Sequence, residues 1–298
     1  MSIIFLRGCL MESDFRSLPP GVREYLGDAF SLLFSYLGER SVVGLYIFGS
    51  ALSGEYSASS DFDFLVVLSD GATDKQIERV NGLLDGLEIK YGLREEKFSL
   101  LGKALRALER STGMFESHFV CRKNDFLRAD FPRIFKINRL MSKLLAPSPI
   151  VLGSVLGRIK KLYGEDLHKK VTIPKATPFT MVKSLAMNLL LSLFSLILYP
   201  FSRRANKYEM EAAKWSIMAS YYYLKKRSPT LTQATNYLTK LGISKTYLKR
   251  LLQLRNNYHN DIHFGLATPL QVLKIHTKTL KQKTQTKNER PSQSIRKK

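Results

Sequence analysis

The chain has 298 residues, enough for about two domains, and 44% of them are apolar, which suffices for a buried core in each. This composition excludes a chain that is disordered throughout. The two cysteines, Cys9 and Cys121, provide no disulfide framework and lie in no metal-ligand spacing, so we expect a reducing, cytoplasmic setting.

Charge is distributed unevenly along the chain. The net charge is +22, but residues 1–100 carry 9 Lys and Arg against 15 Asp and Glu, whereas residues 203–298 carry 21 against 4. Carboxylates in the first third indicate cation binding, and the basic C-terminal half indicates a polyanionic partner such as RNA. A basic composition with no partner at all is the simpler alternative.

Apolar periodicity predicts the first elements of the chain. Residues 20–40 carry apolar side chains at helical spacing, ahead of an apolar run at Val42–Phe48 that reads as a strand. A second apolar run, Phe64–Leu68, predicts the next strand, and Thr73–Tyr91 repeats the helical pattern. A helix between successive strands is typical of an α/β layered domain.

The residues between the first two strands predict a phosphate and metal site. The first strand ends at Gly49 and Ser50, and the second opens with Asp61 and Asp63 around a single Phe. Alternate strand residues share a face, so the two carboxylates lie about 7 Å apart on one side. Such pairs bind Mg²⁺ or Mn²⁺ together with phosphate oxygens. Gly49 permits close approach of backbone to phosphate, and Ser50 would cap a helix beginning near Ala51.

This pattern, Gly-Ser, a spacer and Asp-x-Asp on a strand, resembles the nucleotidyltransferase superfamily related to DNA polymerase beta. The resembling region is residues 20–140. The resemblance implies an α/β domain, with a mixed sheet and flanking helices, that transfers a nucleoside monophosphate from a nucleoside triphosphate to a hydroxyl or phosphate and releases pyrophosphate. It implies no particular acceptor. A hairpin loop with surface aspartates is the simpler alternative.

Enzymes of this superfamily usually place a third carboxylate on a later strand, and we interpret Glu116 as that group. The run Met114–Cys121 reads as extended, so Glu116 would share a strand face with His118. Glu88 is the competing candidate if its neighbours form a strand rather than the end of a helix. The predicted site therefore comprises three carboxylates for metal binding and catalysis and two residues for the triphosphate: Asp61, Asp63, Glu116, Gly49 and Ser50.

Proline-containing segments predict the domain organisation. We expect a catalytic domain at residues 1–146, a connecting segment at 147–202, an all-α helical bundle at 203–272 and a basic disordered tail at 273–298. An α/β nucleotidyltransferase domain followed by an all-α domain resembles the aminoglycoside nucleotidyltransferases and small prokaryotic relatives.

The connecting segment contains an uncharged stretch at residues 185–201, which approaches membrane-spanning length. Polar residues nevertheless recur at helical spacing: Ser184, Asn188, Ser192 and Ser195. This stripe predicts a buried amphipathic helix packed between the two domains. Basic residues on both flanks, and the suitability of small polar residues for contacts within a bilayer, leave a membrane helix as the alternative.

The leading hypothesis is a nucleotidyltransferase that uses Mg²⁺ or Mn²⁺ and a nucleoside triphosphate donor. One alternative is a catalytically silent nucleotide- or RNA-binding module. Another is a membrane-associated scaffold.

Overall fold

The computed structural model describes residues 18, 20–52, 62–93, 116–202 and 205–288. These residues divide into two compact units. The first unit comprises residues 18–52, 62–93, 116–142 and 158–172, as far as they are described, and the second comprises 143–157 and the described residues from 173 onward.

The elements follow one another in this order: α1 (Pro20–Leu37), β1 (Val42–Phe48), β2 (Asp63–Leu68), α2 (Asp74–Lys90), β3 (His118–Arg122), α3 (Lys123–Leu127), α4 (Phe131–Phe135), α5 (Arg139–Leu145), α6 (Ser148–Leu156), β4 (Lys160–Gly164), α7 (Pro178–Leu198), α8 (Ala205–Lys225), α9 (Leu231–Lys240), α10 (Lys245–Asn256) and α11 (Ile262–Asn288). The predicted helices α1 and α2 and strands β1 and β2 are confirmed within a few residues. Short 3₁₀ turns occur at Gly49–Leu52 and Leu167–Lys170.

The first unit is built on a mixed four-stranded sheet in the order β3-β2-β1-β4. Strand β1 is antiparallel to β2 and β4, and β2 is parallel to β3. A mixed sheet with flanking helices, followed by a mostly helical region, confirms the predicted fold class.

One face of the sheet is covered by α1 and α2. Helix α2 begins at a capping box, in which the Thr73 hydroxyl accepts a hydrogen bond from the Gln76 amide and the Gln76 side chain accepts from the Thr73 amide. Its buried side chains Val80 and Leu84 join a cluster with Phe64 of β2. The opposite face packs against α3 and α4, where aromatic pairs form: Tyr46 with Phe126, and Phe119 with Phe135.

The second unit is helical. Helices α9 and α10 are conventionally amphipathic, because each places leucines such as Leu238 and Leu251 in a core shared with Ile217 of α8 and Ile275 of α11. Burying each such side chain contributes about 1.5–3 kcal/mol.

The organisation of the chain differs from the prediction at two places. Residues 158–172 return to the first unit, where β4 pairs with β1, so this unit extends beyond residue 146, the predicted end of the catalytic domain. Strand β4 reads Lys-Lys-Leu-Tyr-Gly and is an edge strand, so it lacks the apolar run of a central strand. Residues 273–288, predicted as part of a disordered tail, belong to α11, because Ile275, His276 and Thr279 are buried there.

Helix α7 differs from the prediction in another way. The polar stripe is buried, and the helix packs on α8 and α11 and belongs to the second unit rather than to a separate connecting segment. Its apolar side is exposed. In the part of the chain that the structure describes, α7 is the one helix long and apolar enough to cross a membrane.

Candidate active site

Gly49 and Asp63 come together where β1 ends and β2 begins. The antiparallel register pairs Phe48 with Asp63, so Gly49 leaves the sheet beside that carboxylate. Gly49 has a φ of 80°, and a Cβ built on it would overlap the Asp63 carboxylate. A positive φ and a close approach both require glycine. The structure therefore joins the predicted phosphate-binding turn to one of the predicted metal-binding carboxylates.

The local backbone around Gly49 differs in detail from the prediction. Gly49–Leu52 form a single 3₁₀ turn, so Ser50 lies inside the turn rather than ahead of a helix that begins at Ala51. Asp61 lies outside the described residues. Phe62 and Phe64 are buried in the core beneath α1, which confirms the predicted alternation and leaves Asp63 on the other face of the sheet.

Glu116 lies at the same edge of the sheet as Asp63. Strands β2 and β3 are parallel, Phe64 pairs with His118, and the Phe64 amide donates a hydrogen bond to the Ser117 carbonyl at 2.8 Å. Glu116 immediately precedes Ser117. It therefore lies just before the start of β3, and Asp63 lies at the start of β2. The strand itself begins at His118, so the predicted alternation from Glu116 does not apply.

Glu88 lies in a helix. It was a competing candidate for the third carboxylate only if its neighbours formed a strand, and they do not. It is fully buried in α2. Its Oε1 accepts a hydrogen bond from the Ser117 hydroxyl at 2.6 Å and lies 2.6 Å from Nδ1 of His118. Sequence reasoning missed this pair. The spacing of Glu88, one helical turn after Leu84, could have indicated that Glu88 lies on the buried side of α2. A buried carboxylate requires a polar partner.

Asp85, Glu88 and His118 place one ligand atom each within 4.8 Å of one another, close enough to share a metal ion. Strand alternation sets this cluster apart from Asp63, because His118 pairs with Phe64 and so shares the helix-covered face. Glu88 is already hydrogen-bonded by Ser117. We therefore treat the cluster as a buried polar network beneath α2, distinct from the edge that carries Gly49, Asp63 and Glu116.

Comparison with known proteins finds a family match that overlaps the first unit. The family model for the nucleotidyltransferase domain matches residues 31–111, a range that includes β1, Gly49, β2 and α2. The chain contains a nucleotidyltransferase domain. This result confirms the resemblance noted in the sequence, and the Gly49–Asp63 contact lies inside the matched range of the nucleotidyltransferase domain.

Among solved structures, the chain is similar to the spectinomycin adenyltransferase AAD(9) from Enterococcus faecialis, crystallised with ATP and spectinomycin. The TM-score is 0.50 at 14% sequence identity, and the match covers 86% of this chain and 98% of that one. At this identity the likeness shows the fold alone, a mixed sheet with flanking helices and a helical region. No curated protein matches the chain.

Proposed function

We propose that the chain is a divalent-metal-dependent nucleotidyltransferase, which transfers a nucleoside monophosphate from a nucleoside triphosphate to an acceptor hydroxyl. The observation that carries the proposal is the packing of Gly49 against the Asp63 carboxylate, at the sheet edge where Glu116 also lies. A metal-binding carboxylate beside a glycine turn is the arrangement that phosphoryl transfer requires, since positioning and charge neutralisation supply most of the catalysis.

The residues present fit a hard divalent cation. Asp63 offers carboxylate oxygens, the donors that Mg²⁺ and Mn²⁺ prefer, and the absence of a side chain on Gly49 lets this carboxylate lie against the turn, where a Cβ would otherwise be. Asp63, together with Asp61, would hold the ion. When bound, the ion supplies neutralisation of the charge on the phosphate oxygens.

The remaining roles follow from the chemistry of the transfer. The backbone at Gly49 and Ser50 would bind the triphosphate, because a glycine lets phosphate oxygens approach main-chain amides closely. The acceptor oxygen attacks the α-phosphorus, the bond to the β-phosphate oxygen breaks, and pyrophosphate leaves. Glu116 would take the proton from the acceptor hydroxyl or complete the metal ligands. A general base must lie within hydrogen-bond reach of that hydroxyl.

The donor and acceptor are tested by label transfer. Purified protein is incubated with each α-labelled nucleoside triphosphate and Mg²⁺ or Mn²⁺, against separate pools of RNA, protein and small hydroxylated metabolites. ATP and spectinomycin are the first pair to include, because the AAD(9) structure contains both. We expect metal-dependent label in one pool, abolished by EDTA and by Asp63→Asn.

Two results distinguish the alternatives. Triphosphate binding without transfer to any pool would contradict the enzymatic proposal and favour a silent nucleotide-binding module. RNA as a partner rests on the excess of Lys and Arg, 21 against 4 Asp and Glu, over residues 203–298. RNA affinity should then fall steeply with salt, because each phosphate neutralised releases condensed counterions. Absence of measurable RNA affinity at low salt would exclude that partner.

A further inference from the structure

Helix α7 is amphipathic with the opposite orientation to that of an ordinary soluble helix. Its buried side is polar: Ser184, Asn188, Ser192 and Ser195 are each at most 1% exposed. Its exposed side is apolar, with Phe179 66%, Leu190 54% and Ile197 68% exposed. Apolar side chains normally face the protein and polar ones face water, so the exposed side of α7 lacks a partner within the described chain.

Specific hydrogen bonds hold the polar side of α7 in place. The Ser195 hydroxyl donates to the Ala205 carbonyl at 2.6 Å, and the Ser184 hydroxyl lies 3.1 Å from Nε2 of His276 on α11. The Asn188 amide donates to Ser184 at 3.3 Å. Rotating α7 to bury its leucines would break these contacts and leave the Ala205 carbonyl and the His276 imidazole without these buried partners. The observed orientation is therefore determined by the helix partners, α8 and α11.

Helix α11 repeats the arrangement. It buries the polar side chains Thr268, His276 and Thr279 beside apolar ones such as Ile275, and it exposes Leu266, Leu270 and Leu273. The two helices are antiparallel neighbours. Ser184 of α7 lies against His276 of α11 near one end of the pair, and Tyr199, just after α7, lies near Asp261, just before α11, at the other end. We name the exposed leucines of α11, together with Phe179, Val182, Leu190, Leu193 and Ile197, the α7–α11 apolar surface.

We propose that the α7–α11 apolar surface docks on an anionic lipid bilayer, with α7 lying in the plane of the interface. Charge complementarity selects this occupant. Lys274 and Lys281 are exposed on α11, and residues 203–298 carry 21 basic against 4 acidic residues. An anionic bilayer accepts apolar side chains between its headgroups and attracts the surrounding lysines, as for interfacial amphipathic helices. A second copy of the chain would bring two strongly basic regions together.

Packing also distinguishes docking from crossing. The polar side of α7 contacts α8, which buries Glu211 in ion pairs with Lys214 and Arg255. A crossing α7 would have to take these charges into the hydrocarbon or abandon its hydrogen bonds, and charged side chains at bilayer depth are costly. Lying flat, α7 inserts its apolar side alone. This inference is independent of the proposed enzymatic activity.

Vesicle flotation tests the proposal. The full-length protein is mixed with phosphatidylcholine vesicles or with vesicles that also contain the anionic lipid phosphatidylglycerol, and bound protein is quantified across a salt series. We expect binding to the anionic vesicles that weakens as salt rises, and little binding to phosphatidylcholine alone. The double variant Leu190→Glu, Ile197→Glu should bind at least tenfold more weakly.

The matched control carries the same charge change elsewhere. Asn236→Glu with Gln253→Glu alters two exposed polar positions on α9 and α10 and should retain vesicle binding. Circular dichroism and melting temperature establish that both variants fold. Equal binding by the wild type and the Leu190, Ile197 variant overturns the proposal. Absence of vesicle binding also overturns it, and if the wild type is then a dimer that the same variant dissociates, the surface is a self-association interface.

Discussion

The Cα of Gly49 lies so close to the carboxylate of Asp63 that a methyl group at position 49 would overlap it. This contact links the end of β1 to the start of β2. A residue with a side chain at position 49 would have to displace Asp63 as well as adopt a φ of 80°. The turn and the carboxylate are therefore one structural unit, and substitutions at either should affect the same function.

Replacing Gly49 by Ala should reduce the rate of nucleotidyl transfer about 100-fold. The new methyl group would displace the Asp63 carboxylate, and a displacement of about 1 Å in an active site can reduce the rate by about that factor. The free energy of unfolding should fall by about 1–3 kcal/mol through backbone strain. Pyrophosphate release and urea unfolding measure the two effects. Gly82→Ala is the control: position 82 is exposed in α2 with open space around it, so Ala should stabilise by about 0.5–1 kcal/mol. Full activity in Gly49→Ala would contradict the proposed role of the contact.

Asp61→Asn combined with Asp63→Asn should abolish metal-dependent turnover while leaving the fold intact. The variant keeps the side-chain size but removes both negative charges that would hold the cation. Pyrophosphate release is measured with Mg²⁺, Mn²⁺ and EDTA, and folding by thermal unfolding. Asp70→Asn, in an exposed turn, should keep normal turnover. Turnover by the double variant at the wild-type rate would refute the assignment of these carboxylates.

Glu88→Ala should destabilise the protein by about 2–4 kcal/mol. The substitution removes the shared hydrogen-bond acceptor of Ser117 and His118 and leaves both polar groups buried beneath α2. Glu78→Ala, at an exposed position of the same helix, should change the free energy of unfolding by less than about 0.5 kcal/mol. Chemical unfolding of both variants provides the measurement. Similar losses in both would mean that the buried network contributes nothing specific.

Glu209 should make the stability of the protein depend on pH. Burial raises the pKa of this carboxyl from 4.5 to about 7, although the hydrogen bond that the Asn206 amide donates to it partly opposes the shift. The folded state therefore holds a proton that the unfolded state releases between these values. The resulting stabilisation is complete below pH 4.5 and is lost as the pH rises through about 7.

Glu209→Gln mimics the protonated carboxyl, so it should melt close to the wild type near pH 5 and several degrees higher above pH 7. Burial lowers the pKa of His276 to about 4, which acts in the opposite direction and removes stability below pH 6.5 in both proteins. Scanning calorimetry across this range separates the two groups, with Glu78→Gln as the control. Parallel curves for wild type and Glu209→Gln would show that Glu209 does not titrate as described.

Local patterns in the sequence were sufficient for the elements that position the site. Helical periodicity predicted α2, and two apolar runs predicted β1 and β2, because each signal depends on neighbouring residues alone. Gly49 and Asp63 were identified for the same reason: the Gly-Ser pair ends the first apolar run, and the Asp-x-Asp pattern leads into the second. The position of Glu116 at the same edge additionally required the parallel pairing of β2 with β3.

The sequence by itself determined that α7 has a polar side and an apolar side, but only the tertiary structure decided which side is buried. Periodicity separates the two sides without stating what covers either. Two hydrogen bonds determine which side is buried. His276 of α11 bonds Ser184, and the Ala205 carbonyl at the start of α8 accepts from Ser195. Pairing of Glu88 with His118 was likewise decided across 30 residues of chain. Partners distant in sequence leave no local signature, because the free energy of a buried hydrogen bond depends on both of its ends.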